Sequence, residues 1–350
     1  MSITAHERPG VYSDYEVATA VRGSAGRKYV GLAVKMANPA KKMWTITRYE
    51  QAVAEFGPER AENATALVRL LLQNGAAQVV VFPVEGEDYT EAFAAMAAAE
   101  NLAVVVCDST DVAVQQALRD SVQAASDAQR ERIAVVAGGE GDDIEALVAR
   151  AAALNSERVV LAAPGCVDGA GEMLSGVELA AAMAGAVAGL ADPAVPLGGA
   201  LLVGLNGLAQ AYDDSELDVL IRGGVTVAES VAGEVSVVRG VTTRTTTAGA
   251  LDRTWRDLAS VLVVDDVIST IRNALKARFR RAKNTVQSRG AIRSQVVLEL
   301  ENKLDREIIT AYDGVRVVQD SEEPTRCLVD FSFTVTHGIN QIWLNAHITV

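Results

Sequence analysis

A chain of 350 residues with 49% hydrophobic side chains and 22% charged ones has room for two or three packed domains, which excludes a disordered or fibrous protein. Its net charge of −13 argues against a surface that coats nucleic acid, and charged residues interrupt every apolar run before it reaches membrane-spanning length. The start, MSITAHERPG, lacks the pattern of a signal peptide, and the widely spaced Cys107, Cys166 and Cys327 read as reduced thiols in a protein made in the cytoplasm.

In chain order, residues 1–22 form an arm. Arg8-Pro9-Gly10 is a turn signal. Gly10 to Ala20 is then extended, with Val11, Tyr12, Tyr15 and Val17 among Asp14 and Glu16, and no helical period. It is either the first strand of the chain's own sheet or a tether that adds to a neighbour. Residues 23–238 alternate strand and helix. Strands are expected at Lys28–Val34, Gln78–Pro83, Leu102–Cys107, Ile133–Ala137 and Arg158–Ala163. Helices are expected at Thr47–Phe56, Ala64–Gln73, Tyr89–Ala99, Val112–Ala125, Ile144–Ala153 and Val177–Leu190. Short apolar strands without alternation, set between amphipathic helices, predict a parallel, doubly wound sheet covered on both faces. Leu201–Leu205 and Val225–Val227 are further strands, Ser215–Ile221 a helix, and Glu234–Thr243 an extended passage to the last domain.

That domain, residues 239–340, is α+β. Asp265 and Asp266 read as caps of a helix whose Ile268, Ile271, Leu275 and Phe279 make a buried stripe. Arg272, Lys276, Arg278, Arg280, Arg281 and Lys283 follow, then Arg289 and Arg293. Residues 272–293 hold eight basic side chains and no acidic one, a local inversion of the chain's sign. The basic stretch is either a solvated face or a surface for an acidic partner. Nucleic acid is disfavoured as that partner because the acidic remainder repels it. Leu328–Thr336 alternates, with Val329, Phe331, Phe333 and Val335 on one face. Residues 341–350 alternate again: Ile342, Leu344, Ala346, Ile348 and Val350 point one way and Trp343, Asn345, His347 and Thr349 the other. Chain ends fray unless something holds them. This end either closes an ordinary hairpin or lends a strand to a neighbouring chain.

In a doubly wound sheet, chemistry would sit in the loops after the strands. Gly138-Gly139-Glu140-Gly141-Asp142-Asp143 precedes a helix, but the third glycine of a dinucleotide fingerprint is replaced by Ile144, and three acids would repel a pyrophosphate. There is no GxxxxGK[ST] and no GxSxG. Cys166, in Pro164-Gly165-Cys166, has no histidine near it in sequence and reads as a satisfied loop thiol. His6, His337 and His347 form no metal-ligand pattern. No cofactor, metal or catalytic group is expected.

Arg8-Pro9-Gly10-Val11-Tyr12 near the start, Arg239-Gly240-Val241-Thr242-Thr243 at the domain junction, and the long block ending Ile348-Thr349-Val350 together resemble the tail sheath proteins of contractile phage tails, phage-like bacteriocins and related injection systems. The resemblance covers most of the chain and is strongest over residues 235–350. It implies a structural, non-enzymatic subunit that stacks as six-fold rings around an inner tail tube protein and contracts to drive the tube through a target envelope. Baseplate and tail terminator proteins would be its other partners, with no membrane anchor and no nucleic acid. Val11, Tyr12, Tyr15 and Val17 would belong to one inter-subunit arm, and Ile342, Leu344, Ile348 and Val350 to the other. Val329, Phe331, Phe333 and Val335 would mark the receiving strand. The domain at 239–340 would lie inside and the α/β domain outside. The charge pattern then makes the basic helix, Arg272 to Lys283, the candidate for facing an acidic tube, with joints near Gly23, Gly240 and Gly338. The rival class is a cytoplasmic α/β enzyme with a basic C-terminal oligomerisation domain.

Overall fold

The structure, a computed structural model, describes residues 29–36 and 43–346. The proposed arm at Val11, Tyr12, Tyr15 and Val17, the joint at Gly23, and Ile348 and Val350 lie outside the described residues. The first half of the chain runs β1 (Tyr29–Lys35), β2 (Trp44–Ile46), α1 (Tyr49–Phe56), α2 (Ala64–Gln73), β3 (Gln78–Val84), α3 (Thr90–Ala98), β4 (Leu102–Cys107), α4 (Val112–Asp127), β5 (Ile133–Ala137), α5 (Ile144–Leu154), β6 (Val159–Ala163) and α6 (Val177–Gly189). It continues through β7 (Leu201–Leu202), α7 (Asp214–Arg222), β8 (Val225–Val231), β9 (Glu234–Val237), the small hairpin β10 (Thr246–Thr247) and β11 (Ala250–Leu251), α8 (Leu258–Phe279), α9 (Val286–Asp305), β12 (Ile309–Gln319) and β13 (Cys327–Val335).

Nine strands make one sheet in the order β2-β3-β1-β4-β5-β6-β8-β9-β7. The six from β3 to β8 are mutually parallel, and antiparallel strands finish both sides. Every residue of β5 and β6 is buried, which is why these strands read as unbroken apolar runs. One face packs on α2 and α6, the other on α3, α4 and α5. The predicted α/β class is the observed one.

The alanine-rich α6 lies against α2 with almost no side chain between them. A Cβ at Gly185 would stand 2.6 Å from the Leu71 carbonyl oxygen, so only glycine permits this approach. Small residues all round the helix match its burial on nearly every side.

The C-terminal region corrects the expected helix start. Asp265 and Asp266 cap nothing; α8 begins two turns earlier and runs through them. Both carboxylates are tolerated in mid-helix because each meets a cation, Asp265 the guanidinium of Arg158 and Asp266 the ammonium of Lys303. The buried stripe shifts accordingly to Val263, Val267 and Ile271, with Leu275 partly buried, while Ile268 and Phe279 stand outside that core. The first turns of α8, at Leu258 and Val261, pack into the α/β core instead. One helix therefore serves two cores.

Beyond it, α9 packs on α8 through Val296 and Leu300, and β12 and β13 form a two-stranded antiparallel ribbon over the helix pair. The strand β12 was not expected. The ribbon is bulged at Asp313–Arg316, where Gly314 takes φ +68°.

Candidate assembly interface

The junction motif is buried, not exposed. The Thr226 hydroxyl donates to the Val241 carbonyl at 2.8 Å and accepts from the Val241 N–H at 2.9 Å. The Thr243 N–H donates to the Val159 carbonyl at 2.9 Å, and its hydroxyl exchanges hydrogen bonds with the Ser156 backbone. Arg239–Thr243 thus clasps the edge of the α/β domain, with all of its threonine hydroxyls engaged by backbone. Two of the expected joints, Gly240 and Gly338, are tightly packed. A Cβ at Gly240 would stand 2.8 Å from Leu197 Cβ, and one at Gly338 2.7 Å from the Pro196 ring.

Two further ties hold α8 against the α/β domain. The Arg158–Asp265 pair is largely buried, and burial drives the Asp265 carboxyl above its ordinary value despite the facing guanidinium. The second is a bidentate fork from Arg272 to Glu131, with contacts of 2.6 and 3.1 Å. Partial burial pushes the Glu131 carboxyl up, but the Arg272 hydrogen bond and charge prevail and leave it below its ordinary value. Arg272 therefore serves inside the subunit.

The other basic residues stand differently. Lys276, Arg278, Arg280, Arg281 and Lys283 are exposed on the last turn of α8 and the connection to α9. Arg278 reaches Gln295 of α9, and among the described residues Lys276, Arg280, Arg281 and Lys283 enter no ion pair. They form a bare cationic tip at the end of the helical hairpin.

In the ribbon, Val329, Phe331, Phe333 and Val335 face the helices as the alternation predicts, and Phe331 stacks on Phe333 with centroids 6.2 Å apart. Each ribbon strand has one partner, so β12 and β13 each keep one edge unpaired among the described residues. The tail does not close this ribbon. Residues 337–346 form no strand, and Ile342, Trp343 and Leu344 are 85%, 90% and 92% exposed. The hairpin between this tail and β13, one of the two readings of the alternation, is absent over the described residues. Three adjacent large apolar side chains in water, beside two open strand edges, are the mark of a surface completed by another chain.

No ligand cradle competes with this reading among the described residues. The Gly138–Asp142 turn is filled by its own Asp142, which accepts from the Gly139 N–H at 2.8 Å and from Arg150 at 3.0 Å. Burial pushes the Cys166 thiol up to about 12, so it stays protonated. No cluster of three or more possible metal ligands occurs among the described residues, and among them no helix is long and apolar enough to cross a membrane.

A closed α/β domain that carries an open-edged ribbon and a bared apolar tail defines a structural subunit made to assemble. Two family models match in order, the phage tail sheath protein central domain over residues 83–243 and the phage tail sheath C-terminal domain over 251–349. The chain belongs to the phage tail sheath family. It is 28% identical over 253 residues to the tail sheath protein of Bacillus phage SP01, covering 71% of this chain and 43% of the phage protein, so the chain spans less than half the length of that relative. The fold matches the contracted helical sheath of the anti-feeding prophage at TM-score 0.74 and 17% identity, over 98% of this chain and 99% of that one. It also matches the sheath tail protein of Desulfitobacterium hafniense at TM-score 0.69 and 13% identity, over 93% and 100%.

Proposed function

We propose that this chain polymerises as stacked six-fold rings around an inner tube and contracts to drive that tube through a target envelope. It would be made in a bacterial cytoplasm and end in a phage or phage-like particle, with a baseplate and a terminator at the ends of the polymer and no catalytic role. The observation that carries this reading is the exposed Ile342-Trp343-Leu344 tail beside a ribbon with two open edges. The arm at Val11–Val17 and the tail at Ile342–Val350 of two neighbours would each add a strand to the ribbon of a third subunit, one of them along β13.

Each added strand gains several backbone hydrogen bonds of about 1 kcal/mol net. Burying Ile342 and Leu344 adds about 1.5–3 kcal/mol apiece. Contacts kept unchanged in both states cannot drive contraction; that energy has to come from surfaces that differ between the states. The arms serve as connectors, and the repacking of α/β domains between subunits is the source of work. The cationic tip, Lys276 to Lys283, would face an acidic tube and help hold the long state.

Electron microscopy of the purified chain tests the reading. Hollow ridged tubes are expected, and a monodisperse small oligomer that stays unassembled with its tube protein present contradicts it.

A further inference from the structure

The Arg239 side chain stands apart from the rest of the junction clasp. The backbone of its motif is spent on the α/β domain, but its own Nε is buried without a hydrogen-bond partner among the described residues. The same holds for the Nε of Arg256, whose guanidinium makes one contact, to the Ile221 carbonyl at 3.2 Å. The two arginines are brought together by pairing of their backbones, for Thr242 N–H donates to the Arg256 carbonyl and Val241 bridges Asp257. Burial, together with the charges of Arg239, Arg253 and Arg222, holds the Arg256 guanidinium below its ordinary value. The acids nearby do not balance this charge. Asp218 is taken up by Arg222, and Asp257 meets Arg239, Arg256 and His337 without a direct ion pair among the described residues. Buried guanidinium N–H groups without acceptors are costly unless a partner supplies them.

This seam lies where the ribbon ends. Val335 closes β13, Thr336 donates to the Ile308 carbonyl, and His337 follows beside Asp257. The loop at 193–199 packs Pro196 on Gly338 and sets Gly198 against the Val238–Arg239 backbone. A strand added along the ribbon would terminate at the seam.

We infer that the Arg239–Arg256 seam, with exposed Arg253 and Arg222 at its rim, is a socket for the acidic N-terminal arm of a second copy of this chain, which presents Asp14 and Glu16. The inference rests on the assembly reading above and adds to it the site that selects and anchors that arm. Charge selects between the two arms. Gly10–Ala20 contains two acidic side chains and no basic one, whereas the chain from Gly338 to Val350 contains no acidic side chain. In an extended segment, positions 14 and 16 project to the same side about 6.6 Å apart, so both carboxylates can face one cationic surface. Docking them sets carboxylate acceptors against the exposed Arg253 and Arg222 and the partly exposed Arg239 side chain, and orients the arm, which strand pairing alone does not do.

The test is a binding measurement with a capped, fluorescent peptide of residues 10–20 and the full-length protein, followed by anisotropy at several salt concentrations. Saturable binding that weakens steeply with salt is expected. The D14N/E16Q peptide should bind at least tenfold more weakly, and so should the parent peptide to R239Q/R253Q protein. Should R239Q disturb folding, as judged by thermal melting, the exposed R253Q and R222Q changes carry the test, with at least a threefold loss expected from the pair. Equal binding of parent and neutralised peptides overturns the inference, as does no binding by the parent peptide. Tube formation by the parent protein is scored separately by microscopy, so tubes with a charge-blind arm reject the socket while leaving the assembly reading intact.

Discussion

The α/β domain and the C-terminal ribbon are built from similar strands and end in opposite conditions. In the large sheet, the parallel strands are flanked on both sides, and the rows that finish it, β2 and β7, are only three and two residues long. Short edges offer little to a passing chain. The ribbon has two strands of eleven and nine residues with no further strand beside either among the described residues, and the apolar residues that follow stand in water. A two-stranded sheet is marginal alone. Here it rests on α8 and α9, which in turn are pinned to the α/β domain by Arg158–Asp265 and Arg272–Glu131. One region is a finished scaffold; the other is held open by it.

The contrast breaks most completely at the tail. Deleting Ile342–Val350 should abolish polymer in sedimentation and microscopy while leaving the thermal melting of the subunit unchanged, because Ile342, Trp343 and Leu344 contact so little within it. Next comes the scaffold. Asp265→Ala leaves the largely buried Arg158 guanidinium without its carboxylate and should cost about 3–5 kcal/mol in urea unfolding. Phe333→Ala removes a half-buried ring from the stack on Phe331 and should cost about 1–3 kcal/mol, loosening the ribbon without unfolding the α/β domain. Reversing Lys276, Arg280, Arg281 and Lys283 to glutamate should reduce co-sedimentation with the inner tube at least tenfold while free self-assembly continues. Unchanged tube association would place another face inward.

The smallest effect is one of pH. Glu131 is depressed below its ordinary 4.5 by Arg272, so its contribution is complete above 4.5 and is lost as the pH falls through the lower folded value. The domain tie should therefore weaken only in that acidic window, and Glu131→Gln should remove that part of the acid sensitivity in a stability–pH series.

Much of the scaffold was legible in sequence. The bounds read for Ala64–Gln73, Leu102–Cys107 and Ile133–Ala137 are those observed, because strong apolar pattern and turn residues coincide there. The misreadings have identifiable causes. Asp265 and Asp266 resemble caps, and nothing local reveals that their partners are Arg158 and Lys303, far away in sequence. The strand β12 was hidden by Asp313-Gly314, which breaks its alternation with a bulge. Arg272 looked like one member of a basic stripe until Glu131 was found opposite it. The ribbon's inward face, Val329 to Val335, was readable because a period of two needs no partner to be seen.

Assembly depends on where the tail goes when subunits meet. Cryo-electron microscopy of the assembled chain, at a resolution that traces backbone, decides it. Density for Ile342–Leu344 lying as an added strand on the ribbon of a neighbouring subunit is the predicted result. The same residues folded back along β13 of their own subunit, with no strand crossing between subunits, would contradict it.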